Sequence, residues 1–293
     1  MTPLLWSKDN LKTYFGRLLG MAFVSGAVAF CMGCEREPAL EIGLGERALA
    51  EVNAFITAHP QREAGVHSEA VAAWIAGRLG ESAVLQRFET PHGTMVNVVK
   101  PHPKPVAILA SHYDTKRGIP GFVGANDGAS TTALLLTLAA ETDLPVTYLF
   151  LDGEESREAY TAKDGLHGSW HFAKTEQTLK QARVPVIVLD MLGDKAFTPG
   201  LAANGSLRLN GLIRRAAKRV GMRLSDAGEI IDDHLPFTVE GWQAADIIDF
   251  DYGPENSWWH TPADTVDKLS AHSLAQAAML VKAIVKDLIE EQQ

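Results

Sequence analysis

Three apolar runs constrain this chain more than anything else in it. Val106 to Ala110, Val146 to Leu151 and Val184 to Leu189 are continuous stretches of strand composition, separated by segments of helical pattern. A strand buried on both faces reads this way, without polar alternation. Strands alternating with helices predict an α/β fold with a largely parallel sheet. Each run ends abruptly in chemistry. The first leads into Ser111-His112-Tyr113-Asp114-Thr115, the second into Asp152-Gly153-Glu154-Glu155, and the third into Asp190. Ligands of parallel sheets bind beyond the carboxyl ends of the strands, and that is where these side chains fall.

The rest of the pattern fits the same frame. Apolar residues recur at helical spacing over 42–58 and 68–79. Val84 to Phe88 and Met95 to Val99 flank Thr90-Pro91-His92-Gly93 and predict a hairpin at a sheet edge. Ala129 to Ala140 is an almost uncharged, buried helix. Further helices are expected over 166–179, 205–220 and 270–290, a strand over 245–248, and loops over 232–237 and 249–258. There is no internal repeat or low-complexity segment.

The N-terminus has the composition of a targeting segment. Lys8, Lys12 and Arg17 precede an apolar stretch from Leu18 to Phe30, which is short for a bilayer span but suits a signal-peptide core. Cys31-Met32-Gly33-Cys34 follows and resembles a bacterial lipoprotein processing site. Residues 1–33 are therefore expected to be a signal peptide of lipoprotein type, with Cys34 carrying lipid. An uncleaved anchor and ordinary signal cleavage are the alternatives. Residues 34–293 are expected to form one exported domain, periplasmic or membrane-anchored, monomeric, and touching a membrane only through its N-terminus. These are the only two cysteines, so a metal site in the body must use His, Asp and Glu. The net charge of -9 argues against nucleic acid as a partner, which calls for a basic stripe.

The candidate metal ligands are His112, Asp127, Glu155, Asp190 and His260. Catalytic zinc takes a few His and carboxylate ligands and keeps a position open. Each residue also has a plainer use: a lone histidine as a hydrogen-bonded structural group, Asp127 as the cap of the next helix, Asp190 as a strand-end turn former, His260 in an exposed turn. The adjacent glutamates can divide two jobs, one binding metal and the other moving protons.

In this order, His112-Tyr113-Asp114, Asn126-Asp127-Gly128, Asp152-Gly153-Glu154-Glu155, Asp190 and His260-Thr261 resemble the co-catalytic zinc aminopeptidase family. Within it, Phe122 to Ala125, Asp232-Asp233-His234, Pro236-Phe237 and Trp259-His260 are most similar to the animal-type glutaminyl cyclases. The resemblance implies a three-layer α/β/α sandwich with a mixed, mostly parallel sheet. It implies one zinc on Asp127, Glu155 and His260 in a cyclase. In an aminopeptidase it implies two, with His112 and Asp190 holding the second. It implies that Glu154 carries the proton, that Asp190 and Asp232 form a paired-carboxyl network beside it, and that Trp259 walls the substrate pocket. The implied substrates are peptide or protein N-termini, the implied reaction conversion of N-terminal glutamine to pyroglutamate with loss of ammonia. Tyr160 stands where the family commonly has a pocket tryptophan, and Ser156-Arg157 replace apolar residues. A zinc aminopeptidase is the alternative activity, and an inactive lipid-anchored binding domain a third reading.

Overall fold

Side chains that alternate across a buried strand must find apolar partners on both faces, and here they do. In the computed structural model, which describes residues 40–161 and 164–293, the elements in chain order are α1 (Ile42–Ala58), α2 (Ser68–Leu79), β1 (Val84–Thr90), β2 (Gly93–Lys100), β3 (Ala107–His112), α3 (Ala129–Glu141), β4 (Val146–Leu151), α4 (His167–Thr175), α5 (Gln177–Gln181), β5 (Val186–Asp190), β6 (Gly200–Leu201), α6 (Leu207–Arg219), β7 (Ser225–Asp226), α7 (His234–Val239), β8 (Ala244–Ile248) and α8 (Ala271–Glu290). The expected signal peptide and Cys34 lie outside the described residues. Among the described residues, no helix is long and apolar enough to cross a membrane.

The strands form one mixed sheet in the order β1-β2-β4-β3-β5-β8-β6-β7. Its centre is parallel: β3 pairs with β4 and β5, and β5 with β8. The hairpin β1–β2 joins β4 antiparallel, with Thr90 opposite Gly93 across a two-residue turn. The period of two then sorts the core. Ala107, Leu109, Tyr148, Phe150, Ile187 and Leu189 face the larger layer, under α1, α3, α6 and α8. Ile108, Ala110, Leu149, Leu151, Val186 and Val188 face a smaller one, closed by Phe172, Phe237 and Trp242 from α4, α7 and the turn before β8. Each such aliphatic or aromatic side chain stabilises by roughly 1.5–3 kcal/mol when fully buried. This is the expected three-layer sandwich.

Three local readings are corrected. The helix expected over 166–179 is two, because Glu176 leaves helical geometry and its carboxylate accepts the N–H groups of Thr178 (3.0 Å) and Leu179 (3.2 Å), capping a new start. Residues 232–237 are not all loop, since α7 begins at His234. Pro236 is tolerated there because first-turn N–H groups have no helical partner anyway. The two-residue strands β6 and β7, too short to show periodicity, were not anticipated.

Candidate active site

Parallel pairing brings the exits of β3, β4, β5 and β8 to one edge, so side chains far apart in sequence converge. His112 ends β3 and Asp190 ends β5. Glu154 and Glu155 follow β4, and Asp127 lies just before α3. Gly128 is required beside it: φ is +80°, and a Cβ would sit 3.0 Å from the His112 ring and 2.9 Å from the Asp114 carbonyl.

Two further carboxylates set the backbone. Asp114 accepts the N–H groups of Glu154 and Glu155, each at 3.1 Å. Asp264 accepts those of Asn126 (2.8 Å) and Asp127 (3.1 Å), and Tyr252 Oη donates to it at 2.7 Å. Beneath them lies Arg62, only 1% exposed. Its guanidinium donates to the carbonyls of Tyr113 (2.7 Å), Val123 (2.8 Å), Gly124 (3.0 Å) and His59 (3.2 Å). Burial lowers its pKa to about 10, against the pull of Asp264, Asp127 and Asp114, which leaves it a cation under the acidic cluster.

Asp127 is shared by two triads. His112 Nε2 lies 3.2 Å from Asp127 Oδ1 and 3.3 Å from Asp190 Oδ1. His260 Nε2 lies 3.2 Å from Asp127 Oδ2 and 2.9 Å from Glu155 Oε1. In each triad, one ligand atom per residue falls within 4.8 Å of the others. The second triad fits a metal ion well. A single imidazole nitrogen cannot satisfy two carboxylates, and the buried atoms Asp127 Oδ2 and Glu155 Oε2 have no hydrogen-bond partner among the described residues. Buried oxygens of that kind call for a cation. Lys116 Nζ, at 3.4 Å from Glu155 Oε2, supplies part of that charge.

The electrostatics agree. Burial opposes charge on Asp127, yet His112 and His260 hold its carboxyl well below the usual range. Burial also opposes charge on the imidazoles, but Asp127 and Glu155 raise His260 to about 9, and Asp114, Asp127 and Asp190 raise His112 well above its ordinary value. The space between the ligands is shaped for positive charge. Glu154 differs: burial, then Glu155, push its carboxyl well up. Its Oε1 accepts from Tyr160 Oη at 2.9 Å. Gly165, at φ +88°, lets that ring in, since a Cβ there would come within 2.6 Å of it.

Asp232 has a neighbour the sequence reading passed over. Burial raises it well up, and the next cause is Asp246, ahead of Asp190 and Glu154. Asp246 is fully buried in β8 and is itself raised by burial and by Asp190. Its oxygens have no hydrogen-bond partner among the described residues, and one proton held between it and Asp232 would satisfy the pair. His234 lies beside them, its Nδ1 3.5 Å from Asp246 Oδ2. The sequence signal was a lone carboxylate inside an apolar strand. Asp264 was also missed, hidden in an ordinary turn composition.

A cleft of about 290 Å³ opens over Asp127, Glu154, Glu155 and Asp190. Trp259 lines it, stacked on the His260 ring at 3.9 Å and edge-on to Phe250 at 4.9 Å. Tyr160, Asp232 and Ile231 complete its sides. Every site residue read from the sequence thus borders one cleft or, for His112, its floor.

An α/β/α sandwich with imidazoles and carboxylates at the exits of its central strands defines the class of zinc-aminopeptidase-like folds. The chain belongs to peptidase family M28, which matches residues 95–285. A glutaminyl-peptide cyclotransferase-like protein of Mus musculus is 32% identical over 63% of this chain and 58% of its own. Aminopeptidase YwaD of Bacillus subtilis is 30% identical over 68% of this chain and 45% of its own. The chain thus spans about half the length of these curated relatives. The solved glutaminyl cyclase of an Acidobacteriales bacterium superposes with a TM-score of 0.77 at 33% identity, covering 88% of this chain and 98% of that one.

Proposed function

We propose that the protein is a zinc-dependent glutaminyl-peptide cyclotransferase. It closes an N-terminal glutamine onto its own α-amine, giving pyroglutamate and ammonia. The observation that carries this reading is the contrast at the paired glutamates. Glu155 turns toward Asp127 and His260, while Glu154, in the same cleft, is held by Tyr160 instead.

Asp127, Glu155 and His260 would hold one zinc, which when bound supplies Lewis acidity at the γ-carbonyl. Glu154 accepts a proton from the attacking amine and returns one to the departing ammonia. The Tyr160 hydroxyl fixes one of its oxygens and leaves the other for substrate. Asp190, Asp232 and Asp246 form a proton-holding group behind it, which supports assigning this side of the site to protons rather than to a second metal. Trp259 gives the glutamine side chain a flat wall. Because ring closure is intramolecular, holding amine and amide together supplies much of the rate.

A zinc aminopeptidase is the second reading, favoured by the likeness to aminopeptidase YwaD and by the His112–Asp127–Asp190 triad, which can take a second ion. There Glu154 would act on water instead of an amine. The deciding experiment incubates the zinc-loaded protein with a glutamine-headed and a leucine-headed peptide and follows both by mass spectrometry. Loss of ammonia from the first is expected. Release of free leucine instead would establish the peptidase. We further assign residues 1–33 to export and Cys34 to lipid attachment. Metabolic labelling with palmitate is expected to mark the wild type and not Cys34→Ser.

A further inference from the structure

Away from Asp127 there is another convergence of metal-ligating side chains. His92 occupies the turn between β1 and β2. Thr90 Oγ1 accepts its N–H at 3.0 Å and donates to the Gly93 carbonyl at 2.8 Å, which fixes the turn. His167 begins α4, and its N–H donates to the Gly153 carbonyl at 2.8 Å. Asp164 lies three residues earlier and accepts the N–H groups of Arg157 (2.6 Å), Glu158 (2.9 Å) and Ala159 (3.3 Å). One ring nitrogen from each histidine and one Asp164 oxygen lie within 4.8 Å of one another. Independently, Nε2 of His92 and Nε2 of His167 are both buried and neither has a hydrogen-bond partner among the described residues. Buried polar atoms almost always have partners, and each exception asks for a reason.

We propose that His92, Asp164 and His167 form a separate, structural site for a divalent cation of zinc type. Two imidazoles and a carboxylate are a donor set that zinc accepts, with water completing its shell. Asp164 brings the negative charge, its carboxylate already oriented by three backbone donors. Arg157 opposes a cation here, with Nη2 donating to the His92 carbonyl at 3.4 Å. Asp114 and Asp164 counter it, both favouring positive charge at His167.

The placement gives the site a purpose. His92 comes from the hairpin, while Asp164 and His167 close the loop that leaves Glu155. That loop carries Tyr160, the hydrogen-bond partner of Glu154. An ion on the three ligands pins the far end of the loop to the sheet edge.

The test uses the zinc-loaded protein after removal of excess metal, with zinc per chain read by plasma mass spectrometry. His92→Gln, His167→Gln and Asp164→Asn are each expected to hold one zinc fewer than the wild type. Asp127→Ala separates this from the cleft, since it should lose the cleft ion and keep this one. A folded variant of the three with wild-type zinc content overturns the proposal. If the variants do not fold, anomalous diffraction at the zinc edge on zinc-soaked wild-type crystals decides. A peak among the three side chains is expected, and none there overturns it.

Discussion

Asp127 meets an imidazole and a carboxylate on each of its sides, at similar distances, yet the two sides are not equivalent. His112 and Asp190 are carried by strand ends; the His112 imidazole is sealed in at 2% exposed, while the Asp190 carboxylate, 10% exposed, reaches the cleft. Glu155 and His260 are carried by loops at the cleft, the imidazole 16% exposed. Behind the first pair lie Asp232 and Asp246, acids that burial drives toward their protonated forms. Around the second lie Lys116, Trp259 and open space. The same donors can therefore serve different ends. On the proposed reading, the side crowded with acids would hold protons, and the more accessible side would suit a metal that must meet substrate. Donor inventory alone cannot separate these uses.

The largest effect should come from the residue both sides share. Asp127→Ala is expected to lose the cleft zinc and, with it, all turnover above background. Stoichiometric cleft zinc in that variant, measured against the His167→Gln baseline, would contradict the ligand set. Next, Glu154→Gln should lower turnover by about 10²–10⁴-fold, the usual range for a proton carrier, while zinc stays bound. Normal turnover would remove Glu154 from its role. Separating the sides themselves comes third. His260→Gln should cost the cleft zinc, and His112→Gln should leave it in place. Equal loss of one ion from each of the two variants would instead support a pair of metals and the aminopeptidase reading.

The smallest effect probes the acidic side through pH. Burial lowers His234 to about 4, against an ordinary histidine value of 6.5. The unfolded chain takes up this proton first as pH falls. Its contribution to stability is thus complete above 6.5 and is lost as pH drops through 4, by ~3 kcal/mol at most. Asp233, raised to about 7 mainly by burial, works in the opposite sense, stabilising at low pH and losing that contribution as pH rises through 7. Urea midpoints for wild type and His234→Gln at pH 7 and pH 5 isolate the histidine. The wild type should lose more between the two. An identical loss in both would show that His234 titrates normally.

Much of this was legible beforehand, for a definite reason. His112, Glu154, Glu155 and Asp190 terminate apolar runs, so composition marks both the strand and its chemical end. The helices α1 and α2 were likewise plain from spacing, and α3 from its uncharged apolar run. What escaped was set by register instead of by local pattern. Asp114 reaches the amides of Glu154 and Glu155 only because β3 and β4 pair in parallel, and Asp264 reaches Asp127 across 137 residues. Asp246 did carry a signal, a charge inside the Ala244–Ile248 strand, but its partner Asp232 lies in another loop. The break at Glu176 depends on a side chain that competes with the helix for its own amides.

Arg62 bears on where this molecule can be cut. It lies outside residues 95–285, the stretch shared with the family, yet its guanidinium clasps the carbonyls of Tyr113, Val123 and Gly124 on the loops that lead to Asp127. A fragment trimmed to the shared stretch would deprive these carbonyls of their guanidinium donor, and would strip the acids above of a buried cation fixed beneath them. The span that evolution makes recognisable is thus shorter than the span that folds as a working whole, and an expression boundary for this protein belongs before α1.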